Sequence, residues 1–539
     1  MDRIVTEVFG FDLRPGQRDA IGSIVSGRDT LAVLPTGSGK SAIYQVGGLT
    51  LGGLTVVVSP LIALQRDQAA ALSKRADVRV VLLNSAQHRA DRAAALEALR
   101  AGEVDFVMLG PEQLANAESI GAVAAGRVTL VAVDEAHLVS EWGRDFRPEY
   151  RRLASVIAHL GGPPVLALTA TAAPPVQADI TRQLKMRSPR IVVSDFDRPN
   201  IRLAVRRTRP DLPEDRAVDD RAVEVVLAND SPTLVYALTH ARCETLAERL
   251  SLDAYRVAPY HAGLPAARRA RVQDDFLAGR LEAVVATSAF GMGIDKPDVR
   301  TVVHAGVPGS LDEYYQEIGR AGRDGAPAHA VVVYDPRTIR IPRLLAARSR
   351  LAPSTVHKII DAIEAAPGRV TVPAVVAASG AARTAVLRVV DELVELGFLE
   401  PDGTDAVAKP DQLPPDAFAL VTAAGGRHQS ILRSRIEAAR EYAETVSCRR
   451  AELLGYFGEH YDPPCGACDN DARAPAPSKA TVGHRHRPSP ERGIPVRHRL
   501  WGPGLLLSRD DHELTVAFDS VGYRHLTPAA LENGILTID

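Results

Sequence analysis

The sequence predicts an α/β protein in which two parallel sheets, each flanked by helices, precede smaller helical and β units. As far as about residue 335, apolar runs of four to seven residues alternate with helical stretches rich in Ala, Leu and Arg. The runs lack the strict alternation of half-exposed strands, which is typical of parallel strands buried on both faces. Strands that alternate with helices in this way indicate a parallel sheet covered on both sides.

Ten of these runs are predicted strands, and they fall into two sets. The first set is 31–34, 55–59, 78–83, 106–109, 130–134 and 165–169, and the second is 233–236, 283–287, 301–305 and 330–334. A stretch rich in Pro, Arg and Asp, 198–220, separates the sets. We interpret it as a linker between two α/β domains.

In the last two hundred residues the alternation of strands and helices stops. Predicted helices at 354–366, 371–379 and 381–396 precede a short β segment, which favours a winged-helix unit over a generic helical bundle. Helices resume at 429–457. The Pro-rich segment 472–499 contains seven basic residues and one glutamate, a formal charge of +6. We expect it to be extended and to hold the final forty residues, which alternate like antiparallel strands, at a distance from the rest.

Composition bounds the class of protein. At roughly 100–200 residues per domain, 539 residues predict three to five domains. With 46% hydrophobic and 24% charged residues, the chain is not a disordered, collagen-like or disulfide-scaffold protein. The net charge of −2 requires any nucleic-acid binding to be local. The N-terminus lacks a signal-like apolar segment, and glycine pairs and Pro60 interrupt the uncharged stretch 46–64, so we expect a cytoplasmic protein without a membrane span.

The segment LPTGSGKS, residues 34–41, has the pattern of a phosphate-binding loop. It follows a predicted strand and opens a helix, so its N–H groups would face phosphates, with the lysine at the β/γ-phosphates and the serine on Mg²⁺. The predicted nucleotide-binding residues are Thr36, Gly37, Ser38, Gly39, Lys40 and Ser41. The strict pattern has glycine in place of Leu34, and a glycine-rich turn without a ligand is the alternative.

Two carboxylates, Asp134 and Glu135, end a predicted buried strand. An aspartate there can hold Mg²⁺, together with Ser41, and the adjacent glutamate can polarise the attacking water. Because a buried pair of carboxylates without a metal is costly, a purely structural role is unattractive. The loop and the strand end together predict ATP hydrolysis.

Two arginines in the second α/β half, Arg320 and Arg323, are three residues apart and would share one face of a helix. An arginine supplied from a facing domain can stabilise the charge that develops on a γ-phosphate. A solvated arginine pair is the alternative for this chain, which is rich in arginine.

Together, six segments resemble, in order, the motifs of the RecQ family of DNA helicases. They are FGFDLRPGQ at 9–17, SPLIALQRDQ at 59–68, SEWGRDFRPEY at 140–150, TAT at 169–171, ATSAFGMGIDKP at 286–297 and QEIGRAGRDG at 316–325. The resemblance spans about residues 9–335. It implies two RecA-like P-loop domains, ATP and Mg²⁺ as cofactors, and single-stranded and duplex DNA as partners. It also implies 3′–5′ translocation and duplex unwinding in DNA repair and recombination.

The resemblance also implies residue roles. Gln17 would read adenine, and Gln316, Arg320 and Arg323 would complete the γ-phosphate site. The residues expected to couple DNA to hydrolysis are Trp142, Phe146, Thr169 and Thr171. A base can stack on an exposed aromatic ring; for Trp142, a place in the core is the alternative.

Three of the four cysteines cluster late in the chain, which suggests a metal before a disulfide. Cys465 and Cys468 have the spacing of a zinc knuckle, and Cys448 lies upstream. The RecQ family has a four-cysteine zinc module here, with Asp471 at the position of the fourth cysteine. A carboxylate binds zinc more weakly than a thiolate; His460 and His484 are alternative ligands, and three thiols without a metal is the remaining alternative.

The C-terminal segment resembles the small Tudor-like barrel of UvrD/PcrA-type helicases. Trp501, Tyr523 and His525 are its predicted exposed residues, which favour a protein partner; RNA polymerase is the partner that its look-alikes suggest. The predicted units are 1–197, 198–338, 339–405, 426–473, the linker 474–493 and the barrel 494–539. Three other functions stay open: a DNA-stimulated translocase with little unwinding, an RNA helicase (134–137 reads DEAH), and a non-catalytic DNA-binding adaptor. Oligomeric state is not predicted.

Overall fold

The computed structural model describes most of the chain, with gaps. The described residues are 4–10, 12–35, 37–74, 78–85, 87–140, 150, 152–290, 296–348, 350–366, 368–401, 406–410, 412–471, 493–509 and 513–539. Three predicted site residues, Thr36, Trp142 and Phe146, lie outside them, as does most of the basic segment.

The first domain is built on a seven-stranded parallel sheet. Its strands are β1 (Thr30–Val33), β2 (Leu54–Val58), β3 (Val80–Leu83), β4 (Phe106–Leu109), β5 (Val128–Val133), β6 (Val165–Thr169) and β7 (Arg190–Val193). They lie in the order β3-β4-β2-β5-β6-β1-β7. Its helices are α1 (Pro15–Val25), α2 (Ser41–Leu51), α3 (Ile62–Ser73), α4 (Arg89–Arg100), α5 (Ala117–Ala124), α6 (Leu153–His159) and α7 (Pro174–Gln183). The order brings the carboxyl ends of β5, β6 and β1 side by side.

The second domain repeats this architecture with six parallel strands. They are β8 (Ile201–Arg207), β9 (Thr233–Ala237), β10 (Val257–Tyr260), β11 (Ala283–Ala286), β12 (Thr301–Ala305) and β13 (Ala328–Tyr334), in the order β10-β11-β9-β12-β13-β8. The helices are α8 (Glu214–Leu227), α9 (His240–Leu252), α10 (Ala266–Leu277) and α11 (Leu311–Ile318), and α12 (Arg340–Arg348) leads out of the domain. Short helices elsewhere are Val5–Phe9, Pro111–Ala115, Ala136–Val139 and Pro336–Ile339.

The third unit has three helices and a small antiparallel sheet with its own core, which is a winged-helix arrangement. Its elements are α13 (Pro353–Ala365), β14 (Arg369–Thr371), α14 (Val372–Ser379), α15 (Arg383–Glu395), β15 (Glu400–Pro401) and β16 (Ala406–Ala408). Among the described residues no single helix is long and apolar enough to cross a membrane; α14 and α15 meet that test only as a sharply bent pair.

Two helices and a β unit complete the chain. Helix α16 (Ala417–Glu444) begins twelve residues before the predicted start at 429, and α17 (Arg449–Tyr456) follows. The β unit comprises β17 (Ile494–His498), β18 (Gly502–Arg509), β19 (Leu514–Phe518), β20 (Gly522–Leu526), α18 (Ala529–Glu532) and β21 (Leu536–Ile538). It is a five-stranded antiparallel sheet in the order β20-β19-β18-β17-β21, hereafter the C-terminal sheet, in which β20 and β21 are the edges of the described part.

The α/β class is confirmed, but three strands are absent from the prediction. Strand β8 lies within 198–220, so this stretch is not a linker: it forms one edge of the second sheet and runs into α8. Strands β7 and β10 are also sheet edges, where burial is incomplete and the apolar signal is weak. Edge strands also tolerate proline, here Pro259, which argues against a strand when only the sequence is read.

The expectation that the C-terminal sheet stands away from the rest of the protein is wrong. Its edge strand β20 packs along α16, where Tyr523 N–H donates to Ser434 Oγ at 3.1 Å. Tyr523 is 5% exposed rather than a surface residue, because its ring stacks on Tyr456 with centroids 5.0 Å apart. His525 is also engaged, since its Nε2 lies 3.1 Å from Glu441 Oε2.

Candidate nucleotide site and metal centre

The predicted phosphate-binding loop connects β1 to α2 at the carboxyl edge of the first sheet. Gly37 and Gly39 have φ values of +78° and +77°, in the left-handed region that favours glycine. Lys40 Nζ donates to the carbonyls of Leu34 and Pro35, at 3.2 and 3.4 Å. The lysine is therefore held against the first residues of its own loop, and its predicted contact with phosphates stays a prediction.

Gln17 lies at this loop, where its amide contacts the loop backbone. Its Nε2 donates to the carbonyls of Ser38 (2.8 Å) and Gly39 (2.9 Å), while its Oε1 accepts from Arg14 N–H at 2.8 Å. The arrangement closes the first turn of α1 with a capping box. The predicted contact with adenine stays a prediction.

Asp134 and Glu135 follow β5, two strands from the phosphate-binding loop. Burial, reinforced by the neighbouring Glu135, raises the pKa of Asp134 to about 7, and the positive charge of Lys40 opposes the rise. Burial lowers the pKa of Lys40, while the two carboxylates act in the opposite direction. A buried group of this kind gains from a further cation, so the donor set fits Mg²⁺ at Asp134.

Glu135 has a left-handed backbone, with φ +49° and ψ +46°, which is uncommon for a residue with a side chain. Its Oε2 lies 3.4 Å from Nδ1 of His137. That ring nitrogen is also 3.0 Å from Thr169 Oγ1, which in turn donates to the Thr171 carbonyl at 3.0 Å. His137 thus lies between Glu135 and Thr169, within hydrogen-bond distance of the threonine and 3.4 Å from the carboxylate, and the sequence prediction did not assign this histidine to the site.

The second domain delivers Arg323 to the phosphate-binding loop. A methyl group placed on Gly37 would lie 3.8 Å from Arg323 Cδ. Arg320 is 5% exposed and hydrogen-bonds to Tyr236 within the second domain, and its predicted role at the γ-phosphate stays a prediction. Gln316, on α11, is half-buried. The structure therefore brings together Lys40, Asp134, Glu135 and Arg323 from two domains.

The three clustered cysteines and Asp471 form a compact group. One donor atom from each residue can be chosen so that all four lie within 4.8 Å of one another. Around a tetrahedral zinc with 2.3 Å bonds, sulfur ligands would be about 3.8 Å apart, so the set fits zinc after a small contraction. A hydrogen bond from Cys465 lowers the pKa of Cys448 to about 6, which favours the thiolate.

Asp471 is fixed in place by the loop that it completes. Its Oδ2 accepts N–H groups from Cys465 (2.7 Å) and Gly466 (3.0 Å) and lies 3.6 Å from Cys448 Sγ. Of the alternative ligands, His460 lies outside the group and pairs with Asp462, at 2.8 Å. His484 is outside the described residues.

The first α/β domain supplies the phosphate-binding loop, and the second supplies an arginine that reaches it. This arrangement defines the class of two-domain, helicase-like P-loop proteins. Four family models match the chain: a DEAD/DEAH box helicase domain (14–180), a helicase conserved C-terminal domain (219–325), an IclR helix-turn-helix domain (358–403) and a RecQ zinc-binding domain (418–472). The third match coincides with the winged-helix unit and the fourth with the metal centre.

Curated relatives narrow the class to one family. The chain is 36% identical to the probable ATP-dependent DNA helicase RecS of Bacillus subtilis, over 68% of this chain and 73% of the relative. It is 33% identical to the ATP-dependent DNA helicase RecQ of Haemophilus influenzae, over 86% of this chain and 62% of that protein. The chain belongs to the RecQ helicase family, and it spans about three-fifths of the length of the RecQ proteins from Haemophilus influenzae and Pasteurella multocida.

A solved structure resembles the fold at lower identity. The Mycobacterium smegmatis helicase Lhr bound to ssDNA and AMP-PNP aligns with a TM-score of 0.50 at 23% identity, over 77% of this chain and 60% of that one. At this identity, the likeness bears on the fold alone.

Proposed function

We propose that this protein is an ATP-dependent DNA helicase of RecQ type, which couples ATP hydrolysis to 3′–5′ translocation on single-stranded DNA. The supporting observation is the composite site, in which Arg323 of the second domain reaches Gly37 of the phosphate-binding loop. A site divided between two domains is completed when they close and broken when they part, which links hydrolysis to movement.

The side chains divide the chemistry. Lys40 neutralises the β/γ-phosphates, and Glu135 positions the attacking water. Arg323 stabilises the charge of the transferred phosphoryl group. His137 lies between Glu135 and Thr169, so the water-positioning residue is close to the segment that precedes α7, where the family resemblance puts coupling to DNA.

Two metals complete the proposal. Mg²⁺, held by Asp134 and Ser41, would neutralise phosphate charge. Zinc, held by Cys448, Cys465, Cys468 and Asp471, would serve as a structural ion; the compactness of the donor set supports this assignment.

A nucleic-acid-stimulated ATPase assay that compares ssDNA, dsDNA and RNA tests the proposal. We expect stimulation by ssDNA in the wild type and none in Lys40→Ala. A forked duplex with a 3′ tail should then be unwound and one with a 5′ tail should not. ATPase without unwinding would favour the translocase, stimulation by RNA alone would favour the RNA helicase, and no ATPase at all would leave only the adaptor.

The wider assignments extend this proposal. We infer units at 1–197, 198–338, 339–405, 426–473 and 494–539, a cytoplasmic location and a role in DNA repair or recombination. A protein partner such as RNA polymerase would have to use a face of the C-terminal sheet other than that of Tyr523 and His525, because α16 and α17 engage both residues.

A further inference from the structure

The C-terminal sheet is joined to the second domain by a buried chain of contacts. Tyr523 of the sheet stacks on Tyr456 of α17. The Tyr456 hydroxyl donates to Asp312 Oδ2 at 2.5 Å, and Arg435 of α16 donates to the same oxygen at 2.7 Å. All four residues are buried, each with less than 9% of its surface exposed. Asp312 is in the first turn of α11.

The same contacts fix the start of α11. Ser310 caps this helix by accepting the Glu313 N–H at 3.1 Å, and Arg435 donates to Ser310 Oγ at 3.2 Å. The other end of α11 leads into the turn that contains Arg320 and Arg323. The start of the helix is thus held by side chains of α16 and α17, against which the C-terminal sheet packs.

The C-terminal sheet approaches α16 closely at Gly522. A methyl group at Gly522 would lie 2.1 Å from Ser434 Oγ and 3.2 Å from Ile431 Cα, and Gly522 has a φ of +73°. Only glycine meets both requirements, so the sequence of β20 is adapted to α16.

We propose that Tyr523, Tyr456 and Arg435 are positioning residues for ATP hydrolysis, because they set the helix that presents Arg323 to the phosphate-binding loop. The C-terminal sheet is then a part of the motor, through the face that packs on α16 and α17. This inference rests on the proposed ATPase. The physical basis is that an arginine of this kind is worth about 10³–10⁵ in turnover, and a displacement of about 1 Å can cost about 100-fold.

Three variants test the inference against a matched control. Gly522→Glu forces the C-terminal sheet off α16, and deletion of 493–539 removes the sheet. Tyr456→Phe removes only the hydroxyl that donates a hydrogen bond to Asp312. Leu500→Ser alters a residue of the same unit that is 86% exposed. Turnover and KM for ATP are measured with saturating ssDNA, AMP-PNP affinity is measured separately, and circular dichroism checks folding.

We expect Gly522→Glu and the deletion to lower kcat about tenfold or more, with KM and AMP-PNP affinity changed less than about twofold. Tyr456→Phe should lower kcat about threefold, and Leu500→Ser should match the wild type. In an Arg323→Ala background, Gly522→Glu should not lower kcat further, because both substitutions remove the same contribution of Arg323 to turnover.

Wild-type kcat in the folded deletion variant would overturn the inference, and so would an equal fall with and without Arg323. If the deletion variant or Gly522→Glu fails to fold, Tyr456→Phe decides the question, and an unchanged kcat in this variant would overturn the inference. A wild type as inactive as Lys40→Ala would instead refute the proposed function.

Discussion

The proposed zinc site gives the sharpest prediction, because Asp471 would have two separable roles there. As a donor, its carboxylate oxygen faces the three thiolates; as an acceptor, it receives the N–H groups of Cys465 and Gly466. Asp471→Ala removes both roles, Asp471→Asn keeps an acceptor oxygen without the charge, and Asp471→Cys supplies a thiolate. The three substitutions therefore separate charge from hydrogen bonding.

The magnitude follows from these roles. Losing a partner that only orients a ligand costs about 10–100-fold in metal affinity. Asp471→Ala also deletes a ligand, so we expect zinc Kd to rise at least about 100-fold, or about 2.8 kcal/mol. Asp471→Asn should fall between alanine and wild type. Asp471→Cys should lower the zinc Kd, because a thiolate binds zinc more tightly than a carboxylate. The new sulfur can also accept the N–H groups of the loop, as Cys465 Sγ accepts the Ala467 N–H at 3.4 Å.

Competition with a chromophoric chelator measures these affinities, after metal analysis of protein purified without chelator has shown about one zinc per chain. His460→Ala is the matched control, since His460 lies nearby but pairs with Asp462. Wild-type affinity in Asp471→Ala would refute the argument. A loss of zinc in His460→Ala or His484→Ala, with none in Asp471→Ala, would reassign the fourth ligand.

Three further predictions concern hydrolysis, coupling and pH. Lys40→Ala should weaken nucleotide binding and abolish turnover, whereas Glu135→Gln should bind ATP without hydrolysing it; normal turnover in both would contradict the site. Trp142→Ala should keep basal ATPase and lose stimulation by ssDNA, and unchanged stimulation would make this tryptophan structural. Hydrogen bonding to Glu441, with the nearby charge of Glu513, raises the pKa of His525 to about 9. Its contribution to stability is complete below about pH 6.5 and is lost as the pH rises through 9, so between pH 7 and 10 the wild-type melting temperature should fall more than that of His525→Gln.

The parts of the fold that the sequence predicts are those whose signal is local. Strands such as β1 and β5 are continuous apolar runs that end in polar residues, so both the strands and the meeting of Lys40 with Asp134 follow from the pattern. Strand β8 reads IRLAVRR, and its three arginines make an edge strand resemble the charged stretch around it. The local sequence pattern cannot predict the burial of Tyr523. Alternation of apolar and polar residues shows which residues share a face of the sheet, but it does not show which distant helix covers that face.

The metal loop is also part of the second sheet, which extends the consequences of zinc binding. Leu203 of β8 donates its N–H to the Ala467 carbonyl at 3.0 Å and accepts the N–H of Asp469 at 3.1 Å, so the loop pairs with the exposed edge of the sheet. Asp469 also accepts the Val205 N–H at 3.1 Å and binds Arg449, the residue after Cys448. An edge strand that lost this cover would present unpaired N–H and C=O groups. The free energy of binding a structural metal adds to the free energy of folding. Zinc bound at the proposed site would therefore also stabilise the edge of the domain that supplies Arg323.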